Sequence, residues 1–405
     1  MKFLVVISAL ISAISCSHFQ NQSATGSVTP SLTPSTSSPT TTPTSTPTAN
    51  AKAAEDKTAT TAATAKPAEP MKPKEVPAKP KESPLQPRGI DFGATIKEIA
   101  FASSANQDMA QAIWKTILDN HPDIFLFMGD NIDATKPEHK SMMEQYHKLD
   151  HIPEYRATRE KIPFLATWDD LDFGQEHGGA DFSGKETSKK VFLNYWTYVR
   201  DSLAMGQSGI YHAKIIGPKK KQVQFIMLDT RSFRSPLRKL EDANGNVSFT
   251  PNDDAKATVL GEEQWIWLEE QLRRPAQLRF IVSSIPLIAT DHGIEKWANF
   301  PKERQRFFDL LKKTGARNVV VFSGDRHQGS IAKTSLKDWG TLYDVTASPI
   351  NEPVATAEED SSFEGKAYAG ENFGLAQIDW HDKKMNLQIR DKDNKPVASV
   401  SLKMH

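Results

Sequence analysis

The chain has 405 residues, with 50 basic and 50 acidic side chains and so no formal net charge at pH 7. That balance gives no electrostatic drive for nucleic acid as a main partner. One cysteine, Cys16, excludes an intramolecular disulfide, and the length suggests one large domain plus an added segment.

Met1-Lys2 precedes an apolar stretch over residues 3–14, which ends in Ser15-Cys16. A lysine, a short apolar region and small residues describe a secretory signal over residues 1–15, too short for a spanning helix. Ala13-Ile14-Ser15-Cys16 resembles a bacterial lipobox, with alanine replacing the more usual leucine at its start. Cys16 is therefore expected to be lipidated, making the protein an exported cell-envelope lipoprotein held to a membrane by its N-terminus. Residues 16–88 are rich in Thr, Ser, Ala and Pro, with no aromatic residue after Phe19. Such a segment buries too little apolar surface to offset its ordering entropy, so a disordered, proline-extended tether is expected.

Residues 89–405 carry the patterning of a folded domain. Four short apolar runs each stop at acids, polar residues or histidine. Residues 99–102 lead into Ser103-Ser104, 124–128 into Gly129-Asp130-Asn131, 164–166 into Trp168-Asp169-Asp170-Leu171-Asp172, and 318–322 into Ser323-Gly324-Asp325-Arg326-His327. Between them, helical spacing predicts helices over 108–120 with Asp108 as N-cap, 138–149, 188–200, 261–272 and 301–313. Residues 209–216 and 223–228 alternate as an antiparallel pair, and Lys219-Lys220-Lys221 between them reads as a solvated hairpin tip. Further strands are expected near 280–284, 342–346, 373–378, 385–389 and 397–402. Strands alternating with helices and ending in a β-rich tail suit a mixed two-sheet sandwich flanked by helices.

Loops at the carboxyl ends of neighbouring buried strands converge on one crevice. Gathering several carboxylates and an imidazole there without a cation is costly, since like charges resist joint ionisation. Two metal ions are the expected explanation. Asp130, Asp169, Asp170, Asp325 and His327 supply the oxygen and nitrogen ligands that hard ions acting on phosphate require. Oxygen-rich ligands with one histidine admit Ca, Mn, Fe or Zn. Arg231, at another strand end, can hold phosphate oxygens, and Asn131 can donate its amide to one. His177 and His292 lie in glycine-containing loops that can reach the same crevice.

These residues also match a family. Phe101-Ala102-Ser103-Ser104, Phe127-Met128-Gly129-Asp130-Asn131-Ile132, Ala166-Thr167-Trp168-Asp169-Asp170-Leu171-Asp172-Phe173-Gly174, Leu228-Asp229-Thr230-Arg231, Leu260-Gly261-Glu262-Glu263-Gln264-Trp265-Ile266-Trp267-Leu268 and Ser323-Gly324-Asp325-Arg326-His327 resemble the PhoD-like (alkaline phosphatase D) family. That family lies within the calcineurin-like metallophosphoesterases, and the resemblance runs in order from about Ile96 to the C-terminus. It implies a four-layer αββα sandwich of two mixed β-sheets, a two-metal centre and hydrolysis of phosphomonoesters or phosphodiesters. By the same match Asp130 is a bridging ligand, Asp170 replaces an asparagine ligand of the wider superfamily, and Asp325 with His327 stands for its last motif.

Four departures bear on activity. Ser104 stands where the family has a cysteine ligand, and Asp133 where it has a tyrosine. Leu171 occupies the place of a histidine that protonates the leaving oxygen, and Ser284 that of a superfamily histidine ligand. General acid catalysis is worth about 10²–10⁴-fold in rate, so either His177 or His292 replaces the missing acid or the protein turns over slowly. Two functions follow: a metal-dependent phosphoric ester hydrolase using a metal-activated hydroxide, or a catalytically weak phosphate-ester or metal-binding envelope lipoprotein. A monomer is expected in either case.

Overall fold

The computed structural model describes residues 83–136, 138, 139 and 141–405. The expected signal, the lipidated Cys16 and most of the tether lie outside the described residues. The last residues assigned to the tether, 83–88, pack on the domain. Ser83 O accepts from Arg156 Nη2 at 2.6 Å and Arg88 N donates to Arg159 O at 2.9 Å.

Alternation along the strands decides the layers. In β1 (Glu98–Ala102), Ile99 and Phe101 face one core while Ala100 and Ala102 face another. In β2 (Ile124–Met128), Ile124, Leu126 and Met128 join the first core, and Phe125 and Phe127 the second. Both faces are apolar, so the strands are buried on both sides, as helix-covered parallel sheets require. With β3 (Phe164–Thr167), and the C-terminal β12 (Asn372–Asp379), β13 (Lys384–Asp391) and β14 (Pro396–Lys403), they form a sheet of order β14-β13-β12-β1-β2-β3.

The second sheet has the order β10-β11-β9-β8-β5-β4. Its strands are β4 (His212–Ile216), β5 (Val223–Met227), β8 (Leu278–Ser283), β9 (Val319–Ser323), β10 (Ser330–Leu336) and β11 (Gly340–Thr346). A separate hairpin, β6 (Arg238–Glu241) with β7 (Val247–Thr250), is inserted after β5. The two sheets enclose one core, where Phe101 and Phe322 stack at 3.8 Å and Phe280 and Phe322 at 4.9 Å. Such pairs add about 0.5–1.5 kcal/mol beyond their buried area. Gly374 of β12 admits the Phe101 ring, whose Cζ lies 2.0 Å from where a Cβ would stand.

Helices cover the outer faces. On the first sheet lie α1 (Ile113–Asp119), α2 (Met142–Asp150), α3 (Pro153–Lys161) and α5 (Lys185–Tyr195), bringing Trp114, Tyr146, Tyr155 and Phe192 onto Phe125 and Phe127. The short α4 (Asp170–Phe173) and α6 (Thr197–Arg200) adjoin them. On the second sheet lie α7 (Gly261–Arg273) and α8 (Pro301–Thr314), packing Trp265, Leu268, Phe307 and Leu311 onto Ile281 and Val321. The result is the expected four-layer αββα sandwich.

Three local expectations differ. The first helix begins at Ile113, not Asp108, because the Asp108 carboxylate is taken by Lys148 at 2.6 Å and His139 at 2.8 Å. The helix expected over 188–200 breaks at Trp196 (φ −92°, ψ 65°), whose indole is buried against Phe127, Phe164 and Phe192. Helix α3 was not expected, since its polar sequence carries no clear apolar stripe; Pro153 at its first turn starts it.

Candidate functional site

Strands β1, β2 and β3 run parallel, and so do β5, β8 and β9. Their carboxyl ends meet at one edge of the sandwich, tied across the sheets by Thr167 Oγ1 donating to Leu228 O at 2.7 Å. The backbone there is unusual. Ser104, Asp130, His177, Asp325 and His327 all hold positive φ, between 48° and 68°. Side-chain-bearing residues rarely adopt this conformation, and such clustering marks functional sites. Gly129 (φ 107°) allows the close approach, since a Cβ there would lie 2.6 Å from Asp169 Cβ and 3.1 Å from Ser284 Cβ. Gly324 does the same against Ser103, whose Oγ would be 2.5 Å away.

These turns gather Asp130, Asp169, Asp170 and Asp325 so that one oxygen of each lies within 4.8 Å of the others. Burial, then the charges of Asp170, Asp169 and Asp172, push the Asp130 carboxyl well above its ordinary range. Asp169 is raised by burial even though Arg231 opposes the shift. Burial likewise raises Asp325 against the pull of Arg326. Asp172, which accepts from the backbone N–H groups of Asp169 and Asn131, is pushed up to about 7 by burial. Buried carboxylates crowded in this way are stabilised by a cation.

Two orphaned oxygens support that reading. Asp169 Oδ2 and Asn131 Oδ1 are buried without a hydrogen-bond partner. An unpaired buried acceptor costs about 1–3 kcal/mol, and a metal ion removes that cost. The donor set, all carboxylate and amide oxygen, fits a hard divalent cation.

The structure places the other expected residues in differing ways. Ser104 is buried beside Asp130, with Oγ 3.4 Å from Asp130 Oδ2, and it accepts a hydrogen bond from Ser348 Oγ at 2.9 Å. Asn131 does not point its amide into open space. Nδ2 donates to Thr167 O at 2.8 Å and to Asp172, which assigns the free atom as the carbonyl oxygen, an acceptor rather than a donor. Arg231 is fully buried between Asp169 and Glu295, 2.9 Å from the latter, so it braces Asp169 rather than presenting a free edge.

His177 is brought in. Its backbone N–H donates to Asp170 Oδ2 at 2.6 Å, and its Nδ1 lies 3.5 Å from Asp170 and 3.4 Å from Glu295. Burial alone would lower its pKa, but the Glu295 carboxylate beside its ring and the charge of Asp170 raise it. His292 is not brought into the carboxylate group. It is buried near Lys296, Arg326 and Glu358, and burial pushes it down to about 4. His327 also lies outside the group of four. Its Nδ1 pairs with Glu352 O at 2.8 Å, which selects the tautomer with a basic Nε2, the form that ligates metals. Asp133, at the family's tyrosine position, bonds Thr135 and Lys136 and takes no part in the carboxylate group. Leu171 contributes its backbone, donating N–H to Asp130 Oδ1 at 3.0 Å.

Glu295 is the residue that sequence reasoning missed. Fully buried, it meets Arg231 at 2.9 Å, Arg234 at 2.8 Å and His177 at 3.4 Å. Although burial opposes it, the two guanidinium groups hold its carboxyl well below the usual range. It lies far along the loop that follows β8, away from the strand end and with no motif around it, so only the fold reveals it.

The comparisons with known proteins agree with this geometry. Alkaline phosphatase D of Bacillus subtilis (strain 168) is 29% identical over 223 residues, which is 46% of this chain and 36% of that protein. The chain thus spans about a third of that relative's length. A solved structure of PhoD superposes with a TM-score of 0.57 at 17% identity, covering 78% of this chain and 70% of that one. Purple acid phosphatase PPD1 from yellow lupin (Lupinus luteus) seeds gives 0.52 at 11% identity, covering 77% and 54%. At such identities these two matches show a shared fold. The model for "PhoD-like phosphatase" matches residues 99–395, and the chain belongs to that family.

Proposed function

We propose that this chain is an exported, membrane-anchored phosphoric ester hydrolase that depends on divalent cations held by Asp130, Asp169, Asp170 and Asp325, with Asn131 Oδ1 and His327 Nε2 completing the set. The observation that carries it is the group of four carboxylates within 4.8 Å at the strand ends. Cations held there would polarise a phosphoryl oxygen and would bring the pKa of water into the neutral range, so no side-chain nucleophile would be needed.

The chain's own residues do the rest. Asp130 is fixed by the Leu171 N–H and the Ser104 hydroxyl, which orients both of its oxygens. Arg231 and Ser284 hold Asp169 Oδ1, the latter donating at 2.6 Å, and leave Oδ2 for a ligand. Arg231 is therefore a positioning residue. His177, raised by Glu295 and partly exposed, is the proton donor that replaces the histidine lost at Leu171. His292 has neither the position nor the charge for that role.

Hydrolysis of an aryl phosphomonoester and an aryl phosphodiester by the purified chain tests this reading. Turnover of at least one, abolished by chelation and in Asp130→Asn, is the expected result. Metal binding without turnover of either ester would support the weak-binding lipoprotein instead. Membrane fractionation of Cys16→Ser against the parent tests the anchor.

A further inference from the structure

The opposite end of the sandwich has a different chemistry. The β4–β5 turn carries Lys219, Lys220 and Lys221, all exposed. From there a line of contacts runs across both sheets. Gln222 N donates to Gln277 Oε1 at 2.8 Å, Asn318 Nδ2 donates to Gln277 O and to His405 O, and Met404 N donates to Lys383 O at 2.9 Å. Arg317, Lys403 and Lys383 are thereby brought to the same end as the lysine run, and each is exposed. None of these six cations has a carboxylate partner among the described residues.

The acids of this end are fewer and mostly engaged. Asp382 pairs with Lys384 at 3.6 Å, Asp379 accepts the N–H groups of His381 and Asp382 within its turn, Asp123 accepts those of Lys97 and Glu98, and Asp91 accepts that of Gly93. Asp338 is exposed beside Trp339. In a chain of zero net charge, a face with this excess of unpaired cations is a local feature.

Between the sheets at this end lies a cavity of about 610 Å³. Leu278, Trp339, Tyr343, Met385, Leu402 and Met404 give it an apolar lining, and Arg317 and Lys403 also border it. The Arg317 guanidinium lies 5.9 Å from the Trp339 ring. A soluble polyanion would use the cations and leave an apolar cavity unfilled. An anionic lipid uses both, its headgroup against the cations and its acyl region against the tryptophan and methionines.

We propose that this face docks on an anionic lipid surface. The carboxylate group, at the carboxyl ends of the strands, then faces away from the bilayer toward soluble or envelope-borne substrate. The docking does not depend on the hydrolase reading or on lipidation at Cys16, and its test reads neither.

The test is flotation of the full-length chain carrying Cys16→Ser with vesicles of phosphatidylcholine, alone or with phosphatidylglycerol as minor component. The apolar run over residues 3–14 gives a background common to all variants and insensitive to salt. Above it, binding should require phosphatidylglycerol. It should fall when salt is raised from ~0.1 to ~1 M, as the Debye length shortens from about 10 to about 3 Å. Reversing the turn (Lys219→Glu, Lys220→Glu, Lys221→Glu) should lower partitioning by at least about a hundredfold, since each basic residue near the surface contributes roughly fivefold. Arg317→Glu with Lys403→Glu, at the cavity rim, should act in the same direction. Unchanged melting of both variants confirms that the fold is kept. Equal binding to both vesicle types, insensitivity to salt, or binding to soluble polyphosphate with no vesicle binding would each overturn the proposal.

Discussion

Metal binding to the strand-end carboxylates should release protons, by an amount the structure sets. Without metal, Asp172 titrates at about 7, and Asp130, Asp169 and Asp325 are all raised in the same direction by burial and by one another. A carboxyl of pKa near 7 carries ~0.9 proton at pH 6. If binding displaces the Asp172 proton alone, the apparent association constant should rise up to about tenfold per pH unit below pH 7, and more steeply for each further raised carboxyl that gives up its proton. The sign for stability follows from the same shifts. Acids raised in the fold bind more protons folded than unfolded, so they favour the metal-free protein at low pH. For Asp172 that contribution is lost as pH climbs from about 4 through 7. For Asp172 alone the difference is of order 4 kcal/mol. Metal added at neutral pH should therefore raise Tm strongly, and at pH 5 hardly at all. Calorimetric titration in buffers of differing ionisation enthalpy reads proton release directly. No release at pH 6, with an affinity flat between pH 5 and pH 6.5, would refute the assignment of these carboxylates as one cation site.

Other outcomes follow from single residues. Glu295→Gln should lower stability by about 3–5 kcal/mol, the usual cost of breaking a buried ion pair, as Arg231 and Arg234 lose their shared partner. The same variant should shift the alkaline limb of any rate profile, where His177 gives up its proton, to lower pH, because His177 loses the Glu295 charge that raises it; an unmoved limb would remove His177 as the acid. His212, fully buried and pushed down to about 4, should make the fold acid-labile. Its contribution is present above pH 6.5 and lost toward pH 4, on the order of 3 kcal/mol, so urea unfolding of His212→Asn should show a shallower decline over that range. Because His177 already supplies the proton, Leu171→His should leave the hydrolysis of alkyl and of aryl esters little changed. A gain confined to alkyl esters and approaching the roughly 10²–10⁴-fold of a general acid would mean that His177 does not supply the proton.

The strands and the acids that end them were legible in the sequence because both leave local marks. A buried parallel strand is a short apolar run, and a strand-end aspartate follows a glycine or stands in a polar cluster. Thus Asp130, Asp169, Asp170 and Asp325 could be named together, and the structure brings them together. What a side chain faces is a tertiary matter, and there the sequence fell short. Arg231 at a strand end looked like a phosphate ligand, but its partner Glu295 lies 64 residues away and holds it inside. Asn131 could equally present its amide or its carbonyl, and only the positions of Thr167 and Asp172 choose. His177 and His292 looked alike as glycine-flanked loop histidines. Contacts with Asp170 and Glu295 single out the first. The α3 helix and the β6–β7 hairpin were missed because polar surface elements carry weak periodicity.

The central claim is that the strand-end carboxylates hold the ions that hydrolyse a phosphate ester. The measurement that tests it most directly is restoration of activity to the chelated chain by stepwise metal addition, read beside bound metal per chain. Activity should return in proportion to metal bound, and Asp130→Asn should recover neither. Full hydrolysis by the chelated chain, or parental metal content and rate in Asp130→Asn, would contradict the claim.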